Sequence, residues 1–134
     1  MSQPNLEYLK EKALEAKSKA YAPYSKFNVG CALVTMDDKI YLGCNVENAS
    51  YGAGICAERT AIVKAVSDGH RKFKSIAVIT DLKEPATPCG ICRQFIREFG
   101  LDIVVYCFGM DGTTLIKTLE EFLPHSFGPE HLNH

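Results

Sequence analysis

Apolar residues recur with helical spacing near the beginning of the chain. Between positions 6 and 20 they lie mostly three or four residues apart among Glu and Lys side chains, and Pro23 follows. Apolar residues at this spacing share one side of a helix, so the pattern predicts an amphipathic helix over residues 6–20. Because proline cannot donate a backbone hydrogen bond, we expect the helix to end before Pro23.

Five short apolar runs further along the chain are separated by turn-forming residues, which is typical of strands. They cover residues 27–35, 40–46, 74–80, 102–108 and 114–117. Only four residues, 36–39, separate the first two runs, and this spacing predicts a β-hairpin.

Two segments between these runs, 56–68 and 89–99, have apolar residues along one side, and each is followed by a glycine, so both are predicted helices. Thr118 and Glu121 have the spacing of a capping box and predict a short final helix. The order α, β, β, α, β, α, β, β, α predicts an α/β fold whose central sheet is covered on both faces. Functional sites in such folds lie at strand ends, where helices begin.

The composition limits the class of protein. A chain of 134 residues fits one domain, residues 1–134. We find neither a secretory signal nor the ~20 consecutive apolar residues of a membrane helix, so we expect a soluble, cytoplasmic protein without a membrane partner. The chain has 15 basic and 16 acidic residues, and its net charge of −1 argues against binding long nucleic acids. A small, uncharged substrate suits this balance better.

Three of the six cysteines have the spacing of a metal site. Cys56 lies two residues before Glu58, and Cys89 and Cys92 form a C-x-x-C pair. Three thiolates are suitable ligands for Zn²⁺, and the fourth position is then left for water, which is typical of catalytic zinc sites. We therefore predict that the three cysteines bind the metal and that Glu58 is a general acid/base, as in the zinc deaminase signature.

The charge of such a site requires compensation. Three thiolates more than neutralise Zn²⁺ and would leave it a weak Lewis acid. Both cysteine segments lie at predicted helix N-termini, whose amide groups carry a partial positive charge. Arg59, next to Glu58, can also donate to a thiolate, so we predict that Arg59 tunes the reactivity of the zinc.

Other interpretations of the cysteines are a structural zinc knuckle and a dithiol redox pair. A knuckle needs a fourth ligand, and the sequence has no second C-x-x-C and no H-x-x-x-H pair. The remaining cysteines, Cys31, Cys44 and Cys107, fall in predicted strands and are expected to pack in the core. The histidines fall in turns or the tail, where we expect them at the surface; they are His70, His125, His131 and His134.

Further distinctive blocks lie on both sides of the zinc motif. The full set is 27–30 (FNVG), 44–49 (CNVENA), 56–61 (CAERTA), 88–94 (PCGICRQ) and 123–129 (LPHSFGP). Together they resemble the small homotetrameric zinc-dependent cytidine deaminases in order and spacing, from about residue 20 to residue 130. The resemblance implies a three-layer α/β/α fold with a central mixed five-stranded sheet. It also implies one Zn²⁺ per subunit and hydrolysis of cytidine and deoxycytidine to uridine and deoxyuridine plus ammonia, by a zinc-activated water with Glu58 as proton shuttle, in pyrimidine salvage.

The resemblance also assigns substrate contacts to single residues. Asn45 and Glu47 match a pair that hydrogen-bonds the ribose 3′-hydroxyl, although without the resemblance they would be interpreted as solvated loop residues. Phe27 matches a residue that packs against the nucleoside, and by sequence alone it fits a strand core equally well. The amide of Ala57 matches a donor to the pyrimidine carbonyl.

Three more positions imply an assembly. Ala49 and Tyr51 match positions that reach the 5′-hydroxyl from a neighbouring subunit, and Phe127 matches a C-terminal aromatic residue that stacks on the base of an adjacent site. The resemblance therefore implies a homotetramer with shared active sites.

Three alternative functions stay open. A blasticidin-type deaminase shares the cysteines and Glu58, but Phe27 and the block at 45–48 favour an ordinary nucleoside. A nucleic-acid deaminase would more often have His at position 56 and a basic channel. A non-catalytic, zinc-stabilised interaction module predicts that Glu58→Gln has no effect. A nucleoside monophosphate is disfavoured because residues 45–51 have no cluster of Lys or Arg nearby.

Overall fold

The computed structural model describes residues 5–132. Over this range the chain forms four α-helices, five strands and two short 3₁₀ turns, at Tyr51–Ala53 and Pro129–His131. The helices are α1 (Leu6–Lys17), α2 (Ala57–Ser67), α3 (Gly90–Arg97) and α4 (Leu119–Phe122). The strands are β1 (Gly30–Thr35), β2 (Ile40–Cys44), β3 (Phe73–Ile79), β4 (Val104–Phe108) and β5 (Thr114–Thr118). The predicted order of helices and strands is confirmed.

The five strands form one mixed sheet in the order β2-β1-β3-β4-β5. The β1–β2 hairpin is antiparallel, β1 also pairs antiparallel with β3, and β5 runs antiparallel to β4. Only β3 and β4 are parallel, and α3 lies in the crossover between them. The helix in this crossover begins near the carboxyl end of β3, which is where ligand sites lie in α/β sheets.

Alternating side chains of the strands pack on opposite faces of the sheet, as the two-residue period of a strand requires. On one face, Ala32 and Ala77 contact Leu9 and Ala13 of α1. The other face packs against α2, α3 and α4, and its core contains Cys31, Leu33, Ile76, Val105 and Cys107 from the strands. The implied three-layer α/β/α architecture is therefore confirmed.

Glycines allow two helices to approach the sheet closely. A Cβ on Gly30 would lie 2.1 Å from the carbonyl oxygen of Ala13 in α1. A Cβ on Gly43 would lie 2.4 Å from the carbonyl oxygen of Ala57 and 2.5 Å from the nitrogen of Ala61, both in α2. Because real Cβ atoms do not approach this closely, only glycine permits the present position of α2 on β2.

Several predicted boundaries differ from those observed. The first helix ends at Lys17 rather than at residue 20, because the amides of Lys19 and Ala20 bond to carbonyls three residues back and tighten the turn. The first strand begins at Gly30 rather than at residue 27, so Phe27 belongs to a loop and is not a strand core residue. Lys26, just before it, has a φ of 62°, which a strand cannot contain.

Cys31, Cys44 and Cys107 lie in strands, as expected. Cys31 and Cys107 are fully buried, and Cys44 is half-buried at the end of β2. All six cysteines are free thiols. Among residues 5–132, no helix combines the length and the apolar character that crossing a membrane requires.

Candidate metal centre and active site

Two helix N-termini bring three thiols together. Cys56 is the N-cap residue of α2, Cys89 is the N-cap residue of α3, and Cys92 lies in the first turn of α3. Their sulfur atoms all lie within 4.8 Å of one another, and the Sγ atoms of Cys56 and Cys89 are 3.9 Å apart. We call these three residues the thiol cluster. The two helices were predicted to begin at residues 56 and 89, and each begins one residue later.

The cap positions leave the sulfur atoms available. Cys56 and Cys89 both have extended backbone angles, and neither side chain makes the hydrogen bond by which Ser or Asp caps a helix. The first amides of α2 and α3 have no partner within their helices, and together with the helix dipoles they produce a positive potential near the sulfurs. Ala57 is the first residue of α2, so its amide is one of these groups.

Arg59 adds a full positive charge to this potential. Its Nη2 donates a hydrogen bond to the sulfur of Cys56 at 3.8 Å. Hydrogen bonds to Cys56 and, more weakly, to Cys92 raise the pKa of Arg59 despite partial burial. Its Nε is buried and has no hydrogen-bond partner among residues 5–132. The guanidinium is thus directed at the thiol cluster, where a negative ligand set would hold it.

The environment favours ionisation within the thiol cluster. A hydrogen bond from Cys92, assisted by Arg59 and Cys89, lowers the pKa of Cys56 to about 5. Cys92 shares the proton of this pair, and its own pKa is raised by that hydrogen bond and by burial. A thiolate is the form of cysteine that binds metals, so the lowered pKa of Cys56 favours binding of a cation by the cluster.

Glu58 lies in the first turn of α2 with only 4% of its surface exposed. Burial raises the pKa of its carboxyl to about 7, the backbone amide opposes this shift, and the charge of Cys56 adds to it. Glu58 also raises the pKa of Cys92, so the carboxyl and the thiols are electrostatic neighbours. A carboxyl with a pKa close to neutral can both accept and release a proton, which is what a general acid/base requires.

The thiol cluster fits Zn²⁺ and leaves room for chemistry. Three sulfur donors at these separations suit a tetrahedral ion, and no fourth Cys, His, Asp or Glu joins the cluster within residues 5–132. Glu58 is close to the cluster without belonging to it. Three protein ligands with a buried acid beside them are the pattern of a catalytic rather than a structural zinc site.

Asn45 and Glu47 follow β2 and hold the loop that contains Phe27. The amide group of Asn45 donates to the carbonyl of Phe27 at 2.8 Å and accepts from the backbone amide of Val29 at 2.9 Å. Glu47 accepts from the backbone amides of Tyr24 and Ser25 at 3.0 and 3.1 Å, and from the Ser25 hydroxyl. No local sequence pattern indicates these contacts, because the partners are 16 to 23 residues away.

The predicted contact positions Phe27, Ala49, Tyr51 and Phe127 are exposed. A cavity of about 290 Å³ is lined by Tyr24, Ser25, Glu47, Asn48, Tyr51 and Gly54, and no member of the thiol cluster lines it. Glu47 and Tyr51 therefore share one cavity, whereas Phe27, Asn45 and Ala49 are not part of its lining. Phe27 and Ala49 are exposed, and Phe127 lies near the C-terminus with 57% of its surface exposed.

Arg93 is a second arginine near the thiol cluster that sequence analysis did not identify. Its guanidinium donates to the carbonyl of Pro88 and the hydroxyl of Thr87, both at 2.7 Å, and to the carbonyl of Phe122 at 2.8 Å. The bonds to Thr87 and Pro88 fix the loop that precedes Cys89. The sequence feature that could have identified Arg93 is its position directly after Cys92.

Comparison with known proteins gives a consistent result. Residues 3–108 match the family model described as the cytidine and deoxycytidylate deaminase zinc-binding region. A cytidine deaminase of Sporosarcina psychrophila is 46% identical over 97% of this chain and 96% of its own length. A probable cytidine deaminase of Dictyostelium discoideum is 48% identical over 98% of this chain and 90% of its own length.

A solved structure agrees with these sequence relatives. The crystal structure of cytidine deaminase from Burkholderia pseudomallei superposes with a TM-score of 0.90 at 46% identity, and it covers 92% of this chain and 100% of that one. The fold and the site thus define a zinc-dependent deaminase, a class of hydrolase. Within that class, the chain belongs to the cytidine and deoxycytidylate deaminase family.

Proposed function

We propose that this protein hydrolyses cytidine and deoxycytidine to uridine and deoxyuridine, with release of ammonia, as a step of pyrimidine salvage. The observation that carries the proposal is the buried carboxyl of Glu58 beside three converging thiols. The relatives named cytidine deaminases, which match this chain almost end to end, support the choice of substrate.

Cys56, Cys89 and Cys92 are proposed to hold one Zn²⁺ per subunit. When bound, the ion supplies Lewis acidity that lowers the pKa of a water molecule in its fourth position. Arg59 and the two helix N-termini offset the charge of the thiolates, so that this acidity is kept.

Glu58 is proposed to move the protons of the reaction. Its carboxylate takes one proton from water and delivers it to the ring nitrogen, then takes the remaining proton of the added hydroxyl and delivers it to the leaving amine. The water oxygen ends on the ring carbon that carried the amine, and ammonia leaves, so atoms and charge balance. Burial of Glu58 favours the role because it brings the carboxyl pKa to about 7, where both forms are populated.

We propose that Phe27, Asn45, Glu47 and the amide of Ala57 bind the nucleoside. Asn45 and Glu47 are half-buried at the end of β2, and a hydroxyl can both donate to a carboxylate and accept from an amide. Asn45 fixes the backbone carbonyl of Phe27, whose exposed ring offers an apolar surface to a base or sugar. The Ala57 amide, free at the start of α2, is a suitable donor to a pyrimidine carbonyl.

We further propose a cytoplasmic homotetramer in which residues 1–134 form one catalytic domain. Ala49, Tyr51 and Phe127 are assigned to a neighbouring subunit's site. Exposed aromatic side chains support an interface: Tyr51 is 80% exposed and Phe127 is 57% exposed, which is unusual for side chains of this size. The six free thiols suit a reducing compartment.

One assay tests the proposal. The loss of absorbance that accompanies deamination is followed with cytidine, deoxycytidine, deoxycytidine monophosphate and adenosine, before and after chelation of the metal. We expect turnover of the two pyrimidine nucleosides and none after chelation. Turnover of none of the four compounds would leave the zinc-stabilised interaction module as the better proposal. Light scattering on the same sample tests the tetramer.

A further inference from the structure

A buried arginine at the end of α3 connects that helix to the C-terminal segment, residues 126–131. Arg97 is the last residue of α3 and is 5% exposed. Its Nε donates to the hydroxyl of Ser126 at 2.7 Å, its Nη2 lies 3.5 Å from the Ser126 carbonyl oxygen, and Nη2 also pairs with the carboxylate of Glu130. All of its side-chain hydrogen bonds among residues 5–132 go to this segment.

The guanidinium of Arg97 packs directly against Gly128. A Cβ on Gly128 would lie 2.2 to 2.4 Å from three atoms of the Arg97 guanidinium. The φ of Gly128 is −146°, an extended conformation that any residue adopts, so backbone strain does not require glycine here. A Cβ at position 128 would instead displace the guanidinium, which lies directly against the chain.

Phe127 lies between these anchored residues. Its carbonyl accepts a hydrogen bond from the side chain of Gln94, one turn before Arg97 on α3, at 2.9 Å. Its ring stacks on the ring of His131, with centroids 5.3 Å apart, and the Nδ1 of His131 accepts from the Gly128 amide at 2.9 Å. The backbone on both sides of Phe127 is therefore fixed to α3, while the ring stays exposed.

The same helix also carries part of the thiol cluster. Cys89 and Cys92 lie at the first turn of α3, and Arg97 lies at its last residue. A rigid helix thus fixes the Phe127 ring relative to the metal ligands of its own chain. Burying a guanidinium is costly, and the bonds of Nε and Nη2 to Ser126 and Glu130 offset that cost. The C-terminal segment is therefore held more firmly than a solvent-exposed tail requires.

We propose that Arg97 is a positioning residue that sets the orientation of Phe127 for contact with the substrate of a neighbouring copy. The inference rests on the proposed function, specifically on the assignment of Phe127 to an adjacent site. Arg97 acts only through Phe127, and it touches neither the nucleoside nor the metal.

The experiment compares four single variants in cytidine deamination, and then Arg97→Lys and the double variant of Arg97→Gln with Phe127→Ala. Phe127→Ala removes the ring, Arg97→Gln removes the charge and the planar fork, Glu130→Gln removes the partner carboxylate, and Gly128→Ala displaces the guanidinium. Arg71→Gln is the matched control, because Arg71 is exposed and, among residues 5–132, its side chain bonds only to backbone carbonyls of Val66 and His70. KM, kcat, bound zinc and particle mass are measured for each.

We expect Phe127→Ala to raise KM about three- to tenfold, the effect of losing one aromatic contact. Arg97→Gln and Gly128→Ala should raise KM in the same range, with kcat and zinc content within about twofold of the parent. Adding Arg97→Gln to Phe127→Ala should raise KM no further, because both changes remove the same contact of the Phe127 ring. Arg97→Lys should restore KM only in part, since lysine keeps the charge without the fork.

Three results would overturn the inference. The first is a loss of thermal stability in Arg97→Gln with KM unchanged, which would make the contact structural only. The second is full additivity of the Arg97 and Phe127 changes. The third is an unchanged KM in Phe127→Ala, which rejects the role of the ring while cytidine turnover by the parent enzyme still stands. If Arg97→Gln fails to fold, Gly128→Ala and Glu130→Gln answer the same question.

Discussion

Glu58 is a buried residue whose chemistry depends on charge. It is almost fully buried, it lies at a helix N-terminus, and it is next to a cluster of thiols. Burial and the cysteine charge raise the pKa of its carboxyl, and the positive helix end opposes them. The result is a group that can exchange a proton near neutral pH.

Glu58→Gln keeps the size of the side chain and removes its ability to exchange a proton. We expect kcat/KM for cytidine to fall by at least ~10²-fold while one zinc per chain is retained. Metal content by atomic absorption and steady-state kinetics check the two halves of this expectation. Glu11→Gln, an exposed position on α1, is the control and should be fully active. Unchanged activity in Glu58→Gln would remove the residue from the mechanism.

Arg59→Gln tests the electrostatic account of the metal site. The guanidinium bonds to the Cys56 sulfur and stabilises its thiolate, so its loss leaves the negative ligand set less compensated. Partners of metal ligands are typically worth about 10- to 100-fold, and we expect a loss of that size in kcat/KM or in zinc affinity. Competition with a zinc chelator measures the affinity. If both quantities match those of Arg71→Gln, Arg59 does not tune the metal.

Which residues the sequence could identify depended on how far apart the interacting partners lie. The thiol cluster was predictable because the C-x-x-C spacing and the Cys56-to-Glu58 spacing are local, and the helix N-termini were readable from nearby turns. The contact of Arg93 with Phe122 and those of Arg97 with Ser126 and Glu130 join residues 29 to 33 positions apart, and no local pattern marks them. Asn45 and Glu47 were predicted from resemblance, but their hold on the Phe27 loop was not.

At the scale of elements, the position of α2 on β2 decides where Cys56 and Glu58 lie. Gly43 provides the space that lets the first turn of α2, with Cys56 before it and Glu58 in it, approach the sheet. The start of α2 was predicted one residue too early, because a cap residue and a first-turn residue look alike in sequence. Sequence periodicity cannot reveal how closely a helix approaches a strand.

Gly43→Ala should move α2 away from the sheet. The added Cβ meets the backbone of Ala57 and Ala61, so we expect the free energy of unfolding to fall by about 1–3 kcal/mol, as for other overpacked cores. Activity should fall as well, because Glu58 moves with the helix. Urea denaturation measures the first effect. Gly52→Ala, which meets nothing within 4 Å, is the stability control and should change unfolding by less than ~0.5 kcal/mol.

At the scale of the whole molecule, the order of elements and the two-sided sheet were predictable, but the strand order was not. The alternation of strands and helices indicates a covered sheet without stating which strands are neighbours. The structure inserts β3 next to β1 and places β4 beyond it, so the single parallel pair lies inside the sheet. These pairings are long-range and are fixed by packing against the helices, which single-sequence patterns do not encode.

Metal removal should affect the molecule as a whole. The thiol cluster joins α2 to α3, so a bound ion cross-links two elements that otherwise meet through a few side chains. A ligand that binds only the folded state stabilises it, and we expect dialysis against a chelator to lower Tm by several degrees and to abolish turnover. Scanning calorimetry and an activity assay before and after adding Zn²⁺ follow both effects. An unchanged Tm with full loss of activity would assign the ion to chemistry alone.

If Phe127 and Glu58 of different chains serve one site, two defective variants can complement each other. Glu58 is buried within its own chain, whereas the Phe127 ring is exposed at the far end of α3 and is assigned to another copy's site. A defect at one of these positions can therefore be supplied in trans by a chain that is defective only at the other. In random assemblies co-expressed from equal amounts of Glu58→Gln and Phe127→Ala chains, about one site in four would combine an intact carboxyl with an intact ring. We expect these sites to show the parental KM. The inactive Glu58→Gln chain would then improve the weak Phe127→Ala chain. If activity per chain falls and KM does not recover, each chain works alone.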